Sequence, residues 1–384
     1  MEVPELMDAL TFQGKTCIEF QRVTTPKLQE TTDAIVRVDL CGLCGSDLHP
    51  YHCREEGLDT GCVMGHELVG CVVQAGDGVQ YFKPGDRVMS PFTASCGACF
   101  YCKQGLTARC EKSQIYGWLQ GGKGLHGAQA QFVRVPMADS TLVAVPPDVS
   151  DEEALLLGDI LSTGYFCAES AGIAQLAARA AAGAEPSIAD GPSKAAGPVV
   201  AVVGCGPVAL LAILSARELG AGTIYAVDSV PERLAMAERF GAVAVNRGRQ
   251  DPLAVVRGAT GGRGADAVLE IVGSPSALRL AFDLARPGAT VSSVGCHTDA
   301  TFPFSPVDGY NKNITYRSGR CSARHYMDLL LPIIKRQDFT AVITHRLPLA
   351  DGAHAYRMFD SKEAGCIKVV MRPWPGTEGT TAAV

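Results

Sequence analysis

Gly65-His66-Glu67-Leu68-Val69-Gly70, which continues to Gly76 and Val79, is the stretch that decides how this chain folds. A histidine followed by a glutamate, between glycines that allow close backbone packing, is typical of one corner of a metal site. By itself the pair is better explained as a buried histidine that a neighbouring hydrogen bond satisfies. Three further motifs in the chain favour the metal site.

Length and composition bound the class of protein. The 384 residues exceed the usual size of one hydrophobic core and predict two domains. A formal net charge of -6 is unsuited to partners that need a basic surface, so we expect neither nucleic acid nor a membrane as partner. No apolar run of signal or membrane-spanning length follows the N-terminus, so we expect a cytoplasmic protein. The fifteen cysteines then indicate metal binding or burial rather than a disulfide framework.

The beginning of the chain predicts strands and then a group of candidate ligands. Short alternating runs within residues 10–40 are typical of β-strands. In residues 41–49 that follow, thiols, a hydroxyl, a carboxylate and an imidazole lie close together. The pair Cys41 and Cys44 has the spacing of a thioredoxin-like redox motif, but it lacks the βαβ context that such a motif needs.

Four cysteines follow at the spacing of a structural zinc site. Four thiolates in one loop can close a tetrahedral site without a position for water. A nucleic-acid zinc module is the alternative, but few basic residues and no alternation of aromatic and basic residues surround the loop. The four cysteines are Cys96, Cys99, Cys102 and Cys110.

The hydrophobic period changes from that of strands to that of helices after Pro146-Pro147. Ser150, followed by three acidic residues, is typical of a helix N-terminus. Beyond it lies Asp159, a carboxylate in an apolar stretch, which needs a partner such as a metal if it is buried. Residues 171–198 are rich in Ala, Gly, Pro and Ser, and we interpret most of this segment as a surface insertion without chemistry of its own.

The second half of the chain has the pattern of a nucleotide-binding fold. An apolar strand at 199–203 runs into a Gly-x-Gly turn and a helix, so backbone amides can approach a pyrophosphate. The next strand ends at Asp228, 22 residues after Gly206, where a carboxylate can bind the ribose hydroxyls of NAD and repel the phosphate of NADP. The alternation of helices and strands that follows predicts a parallel, doubly wound sheet.

Taken together, these motifs resemble the zinc-dependent alcohol dehydrogenase family of medium-chain dehydrogenases over nearly the whole chain. The pattern G-H-E-x2-G-x5-G-x2-V matches the zinc signature of that family, and the four cysteines match its structural zinc lobe. The resemblance implies a β-rich, GroES-like catalytic domain and a Rossmann α/β domain. The implied limits are 1–164 for the first part of the catalytic domain, 165–318 for the Rossmann domain with the Ala-rich insertion at about 171–198, and 319–384 for the return to the catalytic domain and the tail.

The resemblance also implies roles around a catalytic zinc. Cys44 and His66 are implied as ligands, with Asp47 orienting His66 and Glu67 next to the metal. Asp159 stands where the best-known members have a cysteine ligand, and a carboxylate there is similar to the branch of NAD-dependent formaldehyde dehydrogenase. Oxygen is a harder donor than sulfur and should leave zinc a stronger Lewis acid. Together with the four-cysteine site, we expect two zinc ions per chain.

By the same resemblance, Ser46 and His49 form a proton relay and NAD is the coenzyme. Lys368 is expected on the pyrophosphate, and an ordinary surface cation is the alternative for both Lys368 and Arg320. The implied coenzyme contacts are Thr163, Gly204, Gly206, Pro207, Val208, Asp228, Arg233, Val294 and Lys368.

The expected function is hydride transfer between a small alcohol or aldehyde and NAD. Phe92 and Trp118 are expected to line an apolar substrate pocket, although both also fit as core aromatics. Two alternatives stay open: a glutathione-independent formaldehyde dehydrogenase or dismutase that keeps NAD bound, and a non-catalytic zinc- and dinucleotide-binding redox sensor. By analogy we expect a homo-oligomer, a dimer or tetramer, whose sheet is extended at an edge strand near residues 291–294.

Overall fold

A computed structural model of the chain describes residues 3–183 and 197–374. Residues 184–196 of the Ala-rich insertion and residues 375–384 of the C-terminal tail therefore lie outside the described residues, whereas the first part of the insertion forms a helix. The chain divides into two compact units, Met1–Ser162 with Ser322–Val384 (unit 1) and Thr163–Cys321 (unit 2). The sequence predicts the corresponding domain boundaries after residues 164 and 318, close to these divisions.

The strands share the short lengths usual for globular proteins. In chain order they are β1 (Leu6–Gly14), β2 (Cys17–Thr24), β3 (Ala34–Leu43), β4 (Leu68–Ala75), β5 (Arg87–Ser90), β6 (Thr93–Ala94), β7 (Gln114–Ile115), β8 (Trp118–Gln120), β9 (Lys123–Leu125), β10 (Phe132–Val135), β11 (Val143–Ala144), β12 (Val199–Val203), β13 (Thr223–Asp228), β14 (Val243–Asn246), β15 (Ala265–Glu270), β16 (Ala285–Ser293), β17 (Thr315–Ser318), β18 (Ile343–Pro348) and β19 (Lys368–Arg372).

Most helices of more than one turn lie in the second half of the chain. In chain order they are α1 (Leu48–Tyr51), α2 (Phe100–Lys103), α3 (Ala138–Thr141), α4 (Asp151–Gly158), α5 (Ile160–Ser170), α6 (Ile173–Ala181), α7 (Pro207–Glu218), α8 (Pro231–Arg239), α9 (Pro252–Ala259), α10 (Pro275–Leu284), α11 (Pro306–Lys312), α12 (Ala323–Leu330) and α13 (Gly352–Ser361). Short 3-10 helices lie at Gly45–Asp47, Thr107–Arg109, Phe339–Val342, Leu349–Asp351 and Glu363–Gly365.

Unit 1 is built around a seven-stranded sheet with the order β11-β5-β4-β3-β19-β18, in which β10 also pairs with β3. Among the described strands of this sheet, only β18 and β19 are parallel neighbours. Side chains alternate between the two faces of β3, so Val36 and Val38 enter one hydrophobic cluster with α13 while Ile35 enters another with β1. Because β3 is apolar on both faces and pairs with β4, β10 and β19, it forms the centre of the unit.

Unit 2 is a six-stranded sheet with the order β14-β13-β12-β15-β16-β17, and all neighbours are parallel. Every residue of β12 is buried, as expected for a central strand covered on both faces. The strand order reverses between β12 and β15, which is the arrangement of a Rossmann fold. The predicted fold class, a β-rich unit joined to a doubly wound parallel sheet, is confirmed.

The expectation of a sheet edge near residues 291–294 is wrong. β16 lies inside the sheet, because β17 pairs with it on the outer side through Val291 to Tyr316 and Ser293 to Ser318. The four residues of β17 are mostly polar and exposed, so they carry no apolar run that would have predicted a strand.

No helix in the two described segments combines the length and the apolar character needed to cross a membrane. The fifteen cysteines all lie in the described segments, and no disulfide joins them there. Cys41, the first half of the C-x-x-C pair, is buried, and its thiol lies 3.5 Å from the carbonyl oxygen of Met371.

Candidate active site

Three separate elements of unit 1 bring Cys44, His66 and Asp159 together. Cys44 follows β3 directly, and its amide donates to the Asp47 carboxylate at 2.9 Å. His66 precedes β4. One ligand atom from each of the three lies within 4.8 Å of the others. The structure thus assembles the predicted catalytic ligands, which are far apart in sequence, in one place.

Asp159 owes its position to a break between two helices. The first, α4, begins at the predicted cap: the Ser150 hydroxyl accepts from the Glu153 amide, and the Glu153 carboxylate accepts from the Ser150 amide. At Asp159 the backbone leaves the helical region, with φ -146° and ψ -80°, and α5 starts one residue later. Asp159 therefore belongs to neither helix and lies at the break between them.

The His66 ring lies between two carboxylates. Its Nδ1 is 3.2 Å from Asp47 and its Nε2 is 3.2 Å from Asp159, while the Ser46 hydroxyl lies 3.1 Å from Nε2. Burial alone would lower the pKa of His66, but the charges and hydrogen bonds of Asp47 and Asp159 outweigh burial and raise that pKa well above its usual range. The site therefore attracts positive charge at Nε2.

The pKa shifts of the other two side chains also indicate a site that a cation would stabilise. Burial, and next the charge of Asp159, raises the pKa of the Cys44 thiol to about 11. Burial also acts to raise the pKa of Asp159, but the hydrogen bond and charge of His66 outweigh it and lower the pKa below the usual value. A divalent cation among these atoms would favour the thiolate and satisfy the carboxylate. Sulfur, nitrogen and oxygen donors in this combination fit zinc.

A buried polar shell that the sequence did not reveal supports Asp47. Gln129 donates to the Gly42 carbonyl at 3.0 Å, its Nε2 lies 3.4 Å from Asp47, and its Oε1 accepts from the Tyr356 hydroxyl at 2.9 Å. Gly65 has φ +87°, and a Cβ there would lie 2.3 Å from Gln129. Position 65, the first of the motif, therefore needs a glycine for two reasons: the positive φ of its backbone and the closeness of the Gln129 side chain. The only signal for this shell in the sequence was a polar residue, Gln129, between two alanines, Ala128 and Ala130, which are buried in the structure.

Lys368 is wholly buried in unit 1, so the alternative of an ordinary surface cation is wrong for this residue. Its ammonium pairs with the Glu67 carboxylate and donates to the Leu43 carbonyl at 2.9 Å. The other oxygen of Glu67 has no hydrogen-bond partner among the described residues. Arg320, in contrast, is exposed. The predicted contact of Lys368 with a pyrophosphate stays a prediction. The ammonium would have to make this contact while it is already bonded to Glu67 and Leu43.

The remaining predicted residues of the catalytic unit lie in different settings. His49 is half-buried, its Nδ1 has no partner among the described residues, and burial lowers its pKa. No hydrogen bond joins it to Ser46 within the described segments. The ring of Phe92 lies edge-on to His66, with 6.4 Å between centroids. Trp118 is half-buried and begins the small hairpin of β8 and β9.

The four cysteines of the predicted structural site also meet. Their sulfur atoms all lie within 4.8 Å of one another. The amide of Cys96 donates to the sulfur of Cys110 at 3.2 Å, and the amide of Cys99 donates to that of Cys96 at 3.4 Å. Backbone amides of Cys102 and Glu111 lower the pKa of Cys99 to about 6. Amide donors to sulfur favour thiolates, so this loop is prepared for a tetrahedral zinc.

Several of the predicted coenzyme residues of unit 2 lie where strands end at the carboxyl edge of the sheet. Gly204 and Gly206 form the turn between β12 and α7, with Gly206 as the residue that caps the helix and Pro207 and Val208 in its first turn. Val294 follows β16 directly, and Thr163 lies in α5. Amides at a helix N-terminus favour an anion, so the turn fits a pyrophosphate.

Asp228 ends β13 and is tied to the same turn. One carboxylate oxygen accepts from the Cys205 amide at 2.7 Å, and the other accepts from the amides of Ser229 at 2.7 Å and Val230 at 3.0 Å. The guanidinium of Arg233 comes within 3.9 Å of the position that a Cβ on Gly206 would take, and its buried Nε has no partner among the described residues. This unused donor beside the turn suits a polar ligand.

Comparison with known proteins agrees with this geometry. Residues 30–147 match the family model of the alcohol dehydrogenase GroES-like domain, and residues 207–336 match that of the zinc-binding dehydrogenases. The chain is 45% identical to a medium chain reductase/dehydrogenase of an Acremonium species, over 80% of this chain and 99% of the relative. It is 38% identical to zinc-type alcohol dehydrogenase B of Aspergillus flavus, over 94% of this chain and 80% of the relative.

A solved structure supports the same assignment. The alcohol dehydrogenase TADH from Thermus sp. ATN1 superposes with a TM-score of 0.84 at 38% identity, covering 95% of this chain and 99% of that one. The resemblance drawn from the zinc signature and the cysteine lobe is thereby confirmed. The chain belongs to the zinc-dependent alcohol dehydrogenase family of the medium-chain dehydrogenases.

Proposed function

We propose that this protein is a homo-oligomeric zinc enzyme that transfers a hydride between a small alcohol or aldehyde and NAD. The observation that carries the proposal is the meeting of Cys44, His66 and Asp159 within 4.8 Å in unit 1. Three protein ligands leave one position of a tetrahedral metal for a substrate, which separates a catalytic site from the closed four-cysteine site. Family membership supports the oxidoreductase class, while the coenzyme and the substrate class are part of the proposal.

Cys44, His66 and Asp159 would hold the catalytic zinc, and the four-cysteine loop would hold the second. A bound catalytic zinc supplies a Lewis acid that makes a hydroxyl more acidic. Asp47 accepts from Nδ1 of His66 and so leaves the lone pair of Nε2 for the metal. The Ser46 hydroxyl beside Nε2 can pass on a proton, and His49, neutral because of its lowered pKa, can receive one.

The Gly204 to Gly206 turn would hold the pyrophosphate of NAD at the N-terminus of α7, and Asp228 would accept from the ribose hydroxyls. Bound NAD supplies the acceptor of the hydride. The bonds from Cys205, Ser229 and Val230 fix the Asp228 carboxylate before any ligand arrives. A fixed carboxylate at this point favours NAD over the phosphate-bearing NADP.

Zinc content tests the ligand assignment. We expect Asp159→Ala to lower the metal from about two zinc ions per chain to about one, because two remaining ligands bind weakly. The reciprocal variant Cys99→Ser should lose the other ion while alcohol oxidation per remaining catalytic zinc persists. Element analysis by mass spectrometry measures both. About two zinc ions per chain in purified Asp159→Ala would contradict the assignment.

Substrate and coenzyme are tested together by nicotinamide absorbance on zinc-replete protein. Primary alcohols, secondary alcohols, polyols and formaldehyde are each paired with NAD and NADP. Formation of NADH from one class of alcohol is the expected result. Consumption of formaldehyde without net NADH would instead favour a dismutase that keeps NAD bound, and silence across the panel would contradict catalysis and favour a redox sensor.

A further inference from the structure

Three neighbouring strands of unit 2 end side by side at the carboxyl edge of the sheet. Val203 of β12 pairs with Glu270 of β15, and Glu270 pairs with Ser293 of β16. A dinucleotide bound at such an edge spans the point where the strand order reverses, with one nucleotide on each half of the sheet. The Gly-x-Gly turn and Asp228 belong to the half with β12 and β13. Glu270 and Ser293 therefore lie in the half that receives the nicotinamide nucleotide.

Glu270 is a wholly buried carboxylate that ties two turns together. Its Oε1 accepts from the amides of Val272 at 2.9 Å and Gly273 at 2.8 Å, in the turn after β15. Its Oε2 accepts from the Ser293 hydroxyl at 2.6 Å and lies 3.1 Å from Nε2 of His297, in the segment after β16. Donors thus surround both oxygens, as a buried charge requires.

The two turns are also packed backbone against backbone. A Cβ on Gly273 would lie 2.6 Å from the carbonyl oxygen of Cys296, and a Cβ on Gly295 would lie 2.2 Å from the amide nitrogen of Gly273. Across the reversal point, a Cβ on Gly204 would lie 2.7 Å from the Val272 side chain. The turns after β12, β15 and β16 therefore form one closely packed surface, and Glu270 is the buried group that fixes two of them.

His297 offers a free acceptor at this edge. Its Nε2 lies 2.8 Å from the Ser293 hydroxyl and 3.1 Å from Glu270, which leaves Nδ1 without a partner among the described residues. The side chain is 25% exposed. Beside it, Ser293 borders a cavity of about 460 Å³ that also reaches Tyr316 and Arg317 of β17. The carboxamide of a nicotinamide ring carries N–H donors that suit such an acceptor.

We propose that Glu270 is a positioning residue which, through Ser293 and His297, holds this edge in the form that binds the nicotinamide ring of the coenzyme. The inference rests on the proposed function, since it requires NAD as ligand. It assigns to this half of the sheet the part that Asp228 plays in the other half: a carboxylate tied to backbone amides that fixes a turn before the ligand arrives.

Binding of NADH and of ADP-ribose, which lacks the nicotinamide ring, tests the proposal without turnover. In Glu270→Gln the amide oxygen can still accept from Val272 and Gly273, but the amide nitrogen cannot accept from Ser293 or His297. We expect titration calorimetry on the zinc-replete full chain to show a rise of about tenfold in Kd for NADH and less than about twofold for ADP-ribose. His297→Ala should give the same pattern with a rise of about threefold.

Asp266→Asn is the matched control. Asp266 lies at the opposite end of the same strand, where it accepts from the Val199 amide at 2.8 Å and from Arg286 at 2.6 Å. The variant Asp266→Asn should change neither the Kd for NADH nor the Kd for ADP-ribose. Equal rises for NADH and ADP-ribose in Glu270→Gln would show a general structural role and overturn the proposal, as would an unchanged Kd for NADH. If Glu270→Gln does not fold, His297→Ala decides by the same criteria. Wild-type protein that binds neither ligand would refute the proposed function itself.

Discussion

At the scale of single residues, the buried pair of Glu67 and Lys368 makes a sharp prediction about stability. Lys368→Met leaves a carboxylate buried without its cation, and the expected loss is about 3–5 kcal/mol of unfolding free energy. Urea denaturation followed by tryptophan fluorescence measures it. Both tryptophans, Trp118 and Trp374, lie in unit 1, so the signal reports the unit that holds the pair.

The control for this prediction is a surface pair of the same chemistry. Lys335 bonds to Glu153 at 2.8 Å, and its side chain is 44% exposed. Because water screens an exposed pair, Lys335→Met should cost only about 0–1 kcal/mol. Similar losses of unfolding free energy in Lys368→Met and Lys335→Met would contradict the prediction, because the buried pair would then matter no more for stability than the surface pair.

His49 gives a prediction about pH. Burial lowers its pKa below 6.5, so the imidazole stays neutral and able to accept a proton to a lower pH than an exposed histidine does. We expect His49→Gln to reduce kcat/KM roughly tenfold and to remove the fall of the profile on its acidic side. His345→Gln is the control, because burial also lowers the pKa of His345 and this residue lies outside the predicted relay. A pH profile of His49→Gln that matches the wild type would refute the relay.

At the scale of elements, the turn between β12 and α7 works only together with the end of β13. Asp228→Asn keeps an acceptor for the amides of Ser229 and Val230 but removes the charge. We therefore expect the protein to fold and the ratio of kcat/KM for NAD to that for NADP to fall about tenfold. Steady-state rates with both coenzymes measure the ratio. An unchanged ratio would remove Asp228 from coenzyme selection.

At the scale of the whole molecule, an exposed aromatic surface lies beside the outermost strand of unit 2. No described strand pairs with the outer edge of β17. Phe302 is 58% exposed and packs on Tyr316 of that strand, and Tyr310 of the nearby α11 is 82% exposed. Free strand edges and exposed apolar side chains are typical of interfaces, so we place the proposed contact between copies here rather than at β16.

Sedimentation analysis tests this placement. We expect a wild-type mass of at least a dimer, and Tyr310→Glu should raise the dissociation constant of the dimer about thirtyfold, or about 2 kcal/mol. Tyr81→Glu is the matched control, because Tyr81 is 76% exposed in unit 1 and should leave the association unchanged. A monomeric wild type, or equal effects of the two variants, would contradict the placement.

The sequence by itself was sufficient for features that depend on neighbours along the chain. The four cysteines lie within one loop, the Ser150 cap within one turn of its helix, and the Gly-x-Gly turn between one strand and one helix. Chain geometry forces such residues together, so spacing and period predict them. Asp159 was found differently: its apolar setting showed only that it needs a partner, and the family resemblance supplied which one.

Tertiary structure alone decided the contacts between distant segments. Lys368 meets Glu67 across 301 residues and Tyr356 meets Gln129 across 227, and no local pattern marks either pair. The alignment of Glu270 with Ser293, and the position of β17 outside β16, depend on strand order and register. These are set by the packing of whole faces, where shifting a strand by one residue reverses every side chain. A single sequence therefore reveals which groups can bind metal and coenzyme, and the fold determines which buried groups hold them in place.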